Sequence, residues 1–337
     1  MKRIAQSEAA AAVMWMIGSL VLAAAMAPWL FQLGKWFAET AAREDLPSAL
    51  EALGVSCRRA ELGRYFSRSL IVSALATLPL LIWRIRILGG NDKGVMSLRK
   101  TSWNLAAAQL LMGCLIAGCL VWCLVLVLEN QGAFVRDSKD PSFRQLMGKV
   151  LLPTLAAPLI EEWLFRGLLL GLWLRSARPL SACLGTSLIF AFLHFLSPPE
   201  GFQIANPQAP GAGFELLAVI LFHFTELQFF ITDFATLFVV GMILAWTRVA
   251  TGSLWMAIGL HAGWVFTFKC ATIYYDAAAN HWLRPWGVGE NVRSGLLPML
   301  SLVITAGLCH LAMRWLRVSR LSTHDGEHKN PLKSTFL

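Results

Sequence analysis

The sequence predicts an all-α polytopic membrane protein, a bundle of about eight transmembrane helices. Of its 337 residues, 56% are of the types AVILMFWYC, only 15% are Asp, Glu, Lys or Arg, and the mean hydropathy is +0.58. Soluble domains carry about a quarter charged residues, so this composition excludes a water-soluble globular protein. The apolar residues form continuous runs close to the roughly 20 residues that span a bilayer as a helix. A membrane β-barrel is excluded because its strands alternate apolar and polar residues.

Eight apolar runs are predicted to be the transmembrane helices. They lie at 10–32, 68–88, 105–128, 148–174, 179–197, 234–248, 252–270 and 295–316. One further segment, 214–233, is also apolar but contains His223, Glu226 and Asp233. We expect this segment to be re-entrant, interfacial or packed within the bundle. For His223 and Glu226, an interfacial helix is favoured over a metal-ligand pair or a substrate gate.

The net charge of +9 indicates membrane orientation rather than nucleic-acid binding, because the charges lie between the apolar runs. The connections 84–100 and 175–178 and the chain from 314 onward are rich in Lys and Arg, whereas the connection 198–212 has neither. Basic residues accumulate on the cytoplasmic side, so both termini are predicted to be cytoplasmic. Short loops and an Ala-, Leu- and Trp-rich composition favour a bacterial inner (plasma) membrane.

The chain shows no separate soluble domain. Residues 1–318 are predicted to form one integral membrane domain, and residues 319–337 a polar cytoplasmic tail. The seven cysteines have neither a disulfide framework nor the spacing of zinc ligands, so we expect them to behave as small apolar residues.

Ionisable residues inside the apolar runs are few, and each is a candidate for function. Placing one in a membrane span costs about 2.5–3.5 kcal/mol on insertion scales. The candidates are Glu161, Glu162 and Arg166 in the fourth run, His194 in the fifth and His261 in the seventh. Glu162 and Arg166 are one helical turn apart and can form an ion pair. Glu161 is rotated by about 100° from Glu162 and has no partner on its own helix.

Three helices can therefore bring Glu161, His194 and His261 together at mid-depth or slightly towards the outer side of the membrane. One carboxylate and two imidazoles can hold and deprotonate a water molecule, or bind a metal. The structural alternatives are a hydrogen-bonding role for each histidine between helices and an ion-pair cluster of the two glutamates with Arg166. The occurrence of all three elements on separate runs favours a functional site.

These elements resemble the motifs of the CPBP family of intramembrane proteins, also called the Abi or CAAX-protease family. The family pattern is EExxxR, then FxxxH, then HxxxN or a relative of it. The matching segments are EEWLFR at 161–166, FAFLH at 190–194 and HAGWV at 261–265, with GSLW at 252–255. The resemblance covers roughly 153–266, and it implies an eight-helix bundle with a protease-like core at about 148–270.

The resemblance implies an intramembrane endopeptidase in which Glu161 activates water with His194, and His261 stabilises the oxyanion. Glu162 and Arg166 would support Glu161. No cofactor is favoured; the alternative is zinc or another divalent metal held by Glu161, His194 and His261, which would occupy the carboxylate needed as base. The implied partners are a membrane-associated protein or peptide substrate and the lipid bilayer, without nucleic acid.

One position departs from the family pattern. Val265 stands where the pattern often has Asn, and a valine side chain cannot donate a hydrogen bond to an oxyanion. Loss of one such donor typically costs about 10²–10³ in rate. Either the indole N–H of Trp264 or a group from 214–233 replaces it, or the activity is weakened or lost. In the second case the protein is a membrane immunity or partner-binding protein.

A transporter that uses Glu161 and the two histidines as a proton relay is the third hypothesis. It is less favoured because the sequence shows neither repeated halves nor a pair of helices interrupted by Gly and Pro.

Overall fold

The computed structural model describes residues 8–44, 46–89, 101–137, 141–175, 177–198, 202–278 and 280–321, which are almost entirely helical. The helices, in chain order, are α1 Glu8–Thr40, α2 Ser48–Arg59, α3 Leu62–Gly89, α4 Trp103–Asn130, α5 at 143–174, α6 Pro179–His194, α7 Ala212–His223, α8 Leu227–Thr251, α9 Trp255–Tyr274 and α10 Leu296–Leu321. Two short strands, β1 Phe134–Arg136 and β2 Tyr275–Ala277, pair antiparallel. The predicted all-α class is confirmed.

Helix α5 is continuous but not uniform. Its α-helical parts are Phe143–Leu146, Leu152–Glu162 and Leu170–Leu174, and wider π-helical turns connect them at Met147–Leu151 and Trp163–Leu169. Such turns are rare and are frequently found at functional sites. The second one begins directly after the two glutamates of the EExxxR motif and contains its arginine.

Within the described residues, six helices are long and apolar enough to cross a membrane: Ala10–Thr40, Leu62–Ile85, Trp103–Asn130, Leu227–Thr251, Trp255–Tyr274 and Leu296–Leu316. The predicted spans 148–174 and 179–197 correspond to α5 and α6. Five charged residues lie in α5, two near its start and Glu161, Glu162 and Arg166 within its apolar sequence. α6 has 16 residues, fewer than the roughly 20 of a full span. The polytopic membrane class is confirmed, whereas the number eight stays a prediction.

The uncertain segment 214–233 is divided between two helices. α7 ends at His223, a turn follows, and α8 begins at Leu227. α7 packs against α1 and α3, and a Cβ at Gly213 would overlap the carbonyl oxygen of Ala24. Of the three alternatives for this segment, the arrangement corresponds to packing within the bundle. The sixth predicted helix, 234–248, begins at Leu227, seven residues earlier than predicted.

Helices α4 and α9 approach each other through small residues. A Cβ at Gly259 would overlap the carbonyl oxygen of Leu110, and one at Gly263 would overlap that of Cys114. Small residues at i and i+4 allow two membrane helices to pack with their backbones in contact. This packing directs one face of α9 towards α4. His261, about 200° from Gly259 around the helix, lies on the opposite face.

The predicted division into a membrane domain at 1–318 and a tail at 319–337 stays a prediction. α10 continues to Leu321, so the first three residues of the predicted tail at 319–337 are helical, because the helix extends past its apolar run. Residues 322–337, and with them most of that tail, lie outside the described residues. All seven cysteines are free, which agrees with their expected apolar role.

Candidate active site

Glu162, Arg166 and His261 form a buried polar cluster. Nη1 of Arg166 donates to Oε1 of Glu162 over 2.9 Å, which is the ion pair expected from their spacing. Nδ1 of His261 lies 2.8 Å from the same oxygen. The exposed fractions of the three side chains are 0% for Glu162, 1% for Arg166 and 9% for His261. Hydrogen bonds from both partners are what allow an ion pair to be buried, because they offset part of its lost solvation.

Arg166 also connects three helices. Its Nη2 donates to the carbonyl oxygen of Gly241 in α8 over 3.2 Å, and its guanidinium carbon lies 4.2 Å from the ring centroid of Phe190 in α6. A Cβ at Gly241 would come within 2.9 Å of the Cβ of Ser187. The glycine therefore lets α8 approach α6 closely enough to bring its carbonyl group to the arginine.

Glu161 is directed towards a second, more open part of the site. Its Oε2 lies 3.3 Å from Nε2 of His194 and 3.9 Å from Nε2 of His261. The side chains of Glu161 and His194 are 28% and 31% exposed. His194 is the last residue of α6, so this part of the site lies at the end of the bundle where the connection 195–211 begins.

Hydrogen bonds at Nδ1 orient both imidazole rings. Nδ1 of His194 lies 2.8 Å from the carbonyl oxygen of Phe190, which can only accept, so this nitrogen carries a proton. Nδ1 of His261 donates to the Glu162 carboxylate in the same way. The Nε2 atoms of both rings are therefore the ones available for chemistry, and both are near one oxygen of Glu161.

Two parts of the site had no role assigned to them from the sequence: Phe190, the first residue of the FxxxH motif, and the carbonyl group of Gly241. Besides its contacts to His194 and Arg166, the Phe190 ring makes edge contacts with Phe165 at 5.1 Å and His261 at 6.2 Å. The FxxxH spacing contained the signal for the first, because i and i+4 on a helix place a backbone carbonyl next to the histidine ring. No sequence signal marked the glycine.

The GSLW segment at 252–255 determines where α9 begins. Gly252 has φ of 68°, a left-handed conformation that favours glycine, and its N–H donates to the carbonyl oxygen of Arg248 over 3.0 Å. The N–H of Trp255 then donates to Oγ of Ser253 over 3.3 Å. This tight reversal places His261 two turns into α9.

The other positions singled out in the sequence lie as follows. Trp264 belongs to an apolar cluster that includes Val121 and Val125 of α4, and its buried indole N–H has no hydrogen-bond partner. His223 and Glu226 pair with each other, with 3.0 Å between Nδ1 and Oε1, across the turn that separates α7 from α8.

The donor set of the site has two possible uses. Nε2 of His194, Nε2 of His261 and the Glu161 carboxylate are ligands that zinc accepts, and the Nδ1 hydrogen bonds are of the kind that orient metal-binding histidines. No group of three or more His, Cys, Asp or Glu in the described ranges is arranged as a metal site. The same three groups can hold a water molecule.

Comparison with known proteins gives the class. Residues 143–267 match the model of a family described as "Rce1-like: Type II CAAX prenyl endopeptidase Rce1-like". The match extends from the start of α5 into α9, somewhat more than a third of the chain, and contains all five residues of the site. The resemblance to CAAX proteases is thereby confirmed: residues 143–267 are similar to the Rce1-like family, in a chain with several helices that can cross a membrane. Neither the curated proteins nor the solved structures give a significant match.

Proposed function

We propose that this protein is an intramembrane endopeptidase that hydrolyses a peptide bond of a membrane-associated protein or peptide. The observation that carries the proposal is the convergence of two imidazole Nε2 atoms, those of His194 and His261, on Oε2 of Glu161. The family match supports the protease class.

Glu161 acts as the general base. A water molecule bound by the Glu161 carboxylate beside His194 loses a proton to the carboxylate while its oxygen attacks the carbonyl carbon of the substrate. The carbonyl oxygen becomes an oxyanion in the tetrahedral intermediate. When the intermediate collapses, the C–N bond breaks and the proton taken up by Glu161 passes to the leaving amine. Partial exposure of Glu161 and His194 provides access for water and substrate.

His261 stabilises the oxyanion. In its imidazolium form it donates from Nδ1 to Glu162 and from Nε2 to the oxyanion. Glu162 and Arg166 are positioning residues, because they are buried and act through His261 and the helix contacts.

A divalent metal is the mechanistic alternative. Glu161, His194 and His261 would be its ligands, and it would polarise the substrate carbonyl and activate water. We favour the glutamate mechanism because the metal would occupy the carboxylate that the proton transfer needs. We expect cleavage by the purified protein to be unchanged by 1,10-phenanthroline. Loss of cleavage with the chelator and its recovery with added zinc would establish the metal mechanism instead.

A second candidate function follows from Val265. If no other group replaces the missing amide donor, the scaffold serves as a membrane immunity or partner-binding protein with little or no proteolysis. The two candidates differ in what the Glu161 side chain is needed for: the protease needs its carboxylate, whereas a binding protein needs only the fold.

We place the protein in a bacterial inner membrane with both termini in the cytoplasm. The support for this orientation is the distribution of charge, because basic residues recur at every second connection between membrane helices. They are Arg84 near the end of α3, Arg175 and Arg178 between α5 and α6, and Arg314 near the end of α10.

The test is a comparison of peptide termini in the proteomes of cells that carry the wild type, Glu161→Gln or Glu226→Gln at matched membrane levels. Glu226→Gln is the control, because it makes the same chemical change in the pair with His223, outside the cluster. We expect new termini with the wild type and the control but not with Glu161→Gln. Identical termini in all three, with a preserved cellular phenotype, would favour the binding protein.

A further inference from the structure

A second buried charge lies outside the active-site cluster. Arg248, near the end of α8, is 5% exposed, and its guanidinium makes no hydrogen bond or ion pair with any described residue. Of the helices that pack against α8, α6, α9 and α10 contain no Asp or Glu. Glu161 and Glu162 of α5 belong to the cluster around Arg166, which meets α8 at Gly241, two turns away from Arg248. A buried cation without a counter-charge is costly both in a protein interior and in a bilayer. The described residues supply no such counter-charge, and the position is therefore suited to an anion from outside the chain.

The packing of α8 on α6 shows where such an anion would bind. Gly241 lies against Ser187, and one turn further along α8 Ala245 packs with Cys183. The residue numbers rise along one helix as they fall along the other, so the two helices are antiparallel. Arg248, on the same stripe at i+7 from Gly241, is level with the first turn of α6.

That first turn of α6 is itself positive. Pro179 has no N–H, the N–H groups of Leu180 and Ser181 have no partners within the helix, and the helix dipole adds a partial positive charge. Arg178, which is exposed, immediately precedes the helix. These charges repel the guanidinium of Arg248 unless an anion lies between them. A phosphate fits both sides, because helix N-termini bind phosphates and arginine binds them through two parallel hydrogen bonds.

We propose that Arg248, the first turn of α6 and Arg178 bind the phosphate of an anionic phospholipid from the surrounding leaflet. The site lies where two membrane helices meet at the end that carries the basic connections, and basic pockets in this position bind anionic headgroups. His194 is at the other end of α6, about 21 Å from this turn at 1.5 Å per residue. The lipid site is therefore separate from the proposed catalytic groups and does not depend on them.

The test is the thermal stability of the full-length protein in nanodiscs of phosphatidylcholine with and without phosphatidylglycerol. We expect phosphatidylglycerol to raise the Tm of the wild type by several degrees, because it binds only the folded state. In Arg248→Met this increase disappears, while the Tm in pure phosphatidylcholine is equal to or above that of the wild type, since an unpaired charge has been removed. Arg248→Lys keeps part of the increase.

Arg314→Met is the matched control, because Arg314 is an exposed arginine near the end of α10. We expect it to retain the full increase. An equal loss in Arg314→Met would show diffuse surface attraction, and a full increase in Arg248→Met would exclude the site. A Tm increase with inorganic phosphate in pure phosphatidylcholine, dependent on Arg248, would assign a soluble anion instead. Native mass spectrometry supplies a second measurement: one retained phosphatidylglycerol in the wild type and none in Arg248→Met is expected, and equal retention contradicts the proposal.

Discussion

Two neighbouring glutamates in the same helix have different environments. Glu162 is fully buried and its Oε1 accepts from both Arg166 and His261, whereas Glu161 is 28% exposed and faces His194 at 3.3 Å. The two histidines differ in the same way, since the side chain of His261 is 9% exposed and that of His194 is 31% exposed. The site thus has a closed half and an open half, and His261 is the residue that contacts both.

The charged side chains of the closed half hold the helices together, whereas the carboxylate of the open half is available for chemistry. In the closed half, every strong interaction links helices: α5 to α9 through Glu162 and His261, and α5 to α8 through Arg166 and Gly241. In the open half, the ion-pair contacts of the Glu161 carboxylate within the described ranges are with the two Nε2 atoms. A side chain committed to two partners cannot take up a proton from water easily, so the open glutamate is the one suited to act as base.

The largest expected effect is a difference in stability between two variants in which Glu162 or Glu161 is replaced by glutamine. Glu162→Gln leaves Arg166 buried without its counter-charge, and we expect the free energy of unfolding to fall by about 3–5 kcal/mol. Glu161→Gln is the matched change, and we expect it to alter stability by about 1 kcal/mol or less, because the side chain is partly exposed. Unfolding of both purified variants measured side by side decides this. Equal destabilisation would mean that the two halves are not distinct.

The catalytic role of the open half can be tested by introducing the asparagine of the family pattern at position 265. Val265 lies one turn after His261 on α9, so an asparagine there extends the same face of the helix. We expect Val265→Asn to raise the rate of cleavage by as much as about 10²–10³, the effect typical of one oxyanion donor. Val265→Ala is the control for the change in size. An unchanged rate in Val265→Asn would show that another group already supplies the hydrogen bond.

The two histidines are expected to separate activity from stability. Removing either imidazole lowers the rate, but only His261→Leu also removes a donor from the buried carboxylate of Glu162. We expect a loss of about 1–3 kcal/mol in stability for His261→Leu and a much smaller one for His194→Leu. Cleavage assays combined with thermal unfolding test both variants. A destabilised His194→Leu with an unaffected His261→Leu would reverse the assignment of the halves.

The smallest change in stability is expected for Phe190, whose ring contacts Arg166 of the closed half and His194 of the open half. Phe190→Leu removes the ring beside the guanidinium of Arg166 but keeps the backbone carbonyl that binds His194. Cation–π contacts contribute about 0.5–2 kcal/mol, so stability falls by that amount while cleavage persists. Complete loss of cleavage in a folded Phe190→Leu variant would show that the ring itself, and not the carbonyl, positions the histidine.

Much of the site is local in origin and was therefore predictable. The Glu162–Arg166 pair follows from i,i+4 spacing, and the contact of His194 with the Phe190 carbonyl has the same spacing within FxxxH. The separation of the two glutamates follows from the 100° rotation per residue. Such features depend only on the geometry of one helix, and the apolar runs are sufficient to predict the helices themselves.

The remaining features depend on how the helices pack. His261 is 99 positions from Glu162 in the chain, and no spacing rule could show that its Nδ1 would bind this carboxylate while its Nε2 faces Glu161. The close approach of α9 to α4 at Gly259 and Gly263 places it there.

Taken by itself, the amino-acid sequence determined the membrane class, the positions of the helices and the motifs, because hydropathy and helical periodicity are local properties. The tertiary structure alone decided which glutamate is buried with Arg166 and His261, which glutamate remains open, and that Arg248 is buried without a partner among the described residues. Burial and pairing depend on contacts between helices that are distant in the chain, and these arise only when the whole bundle packs.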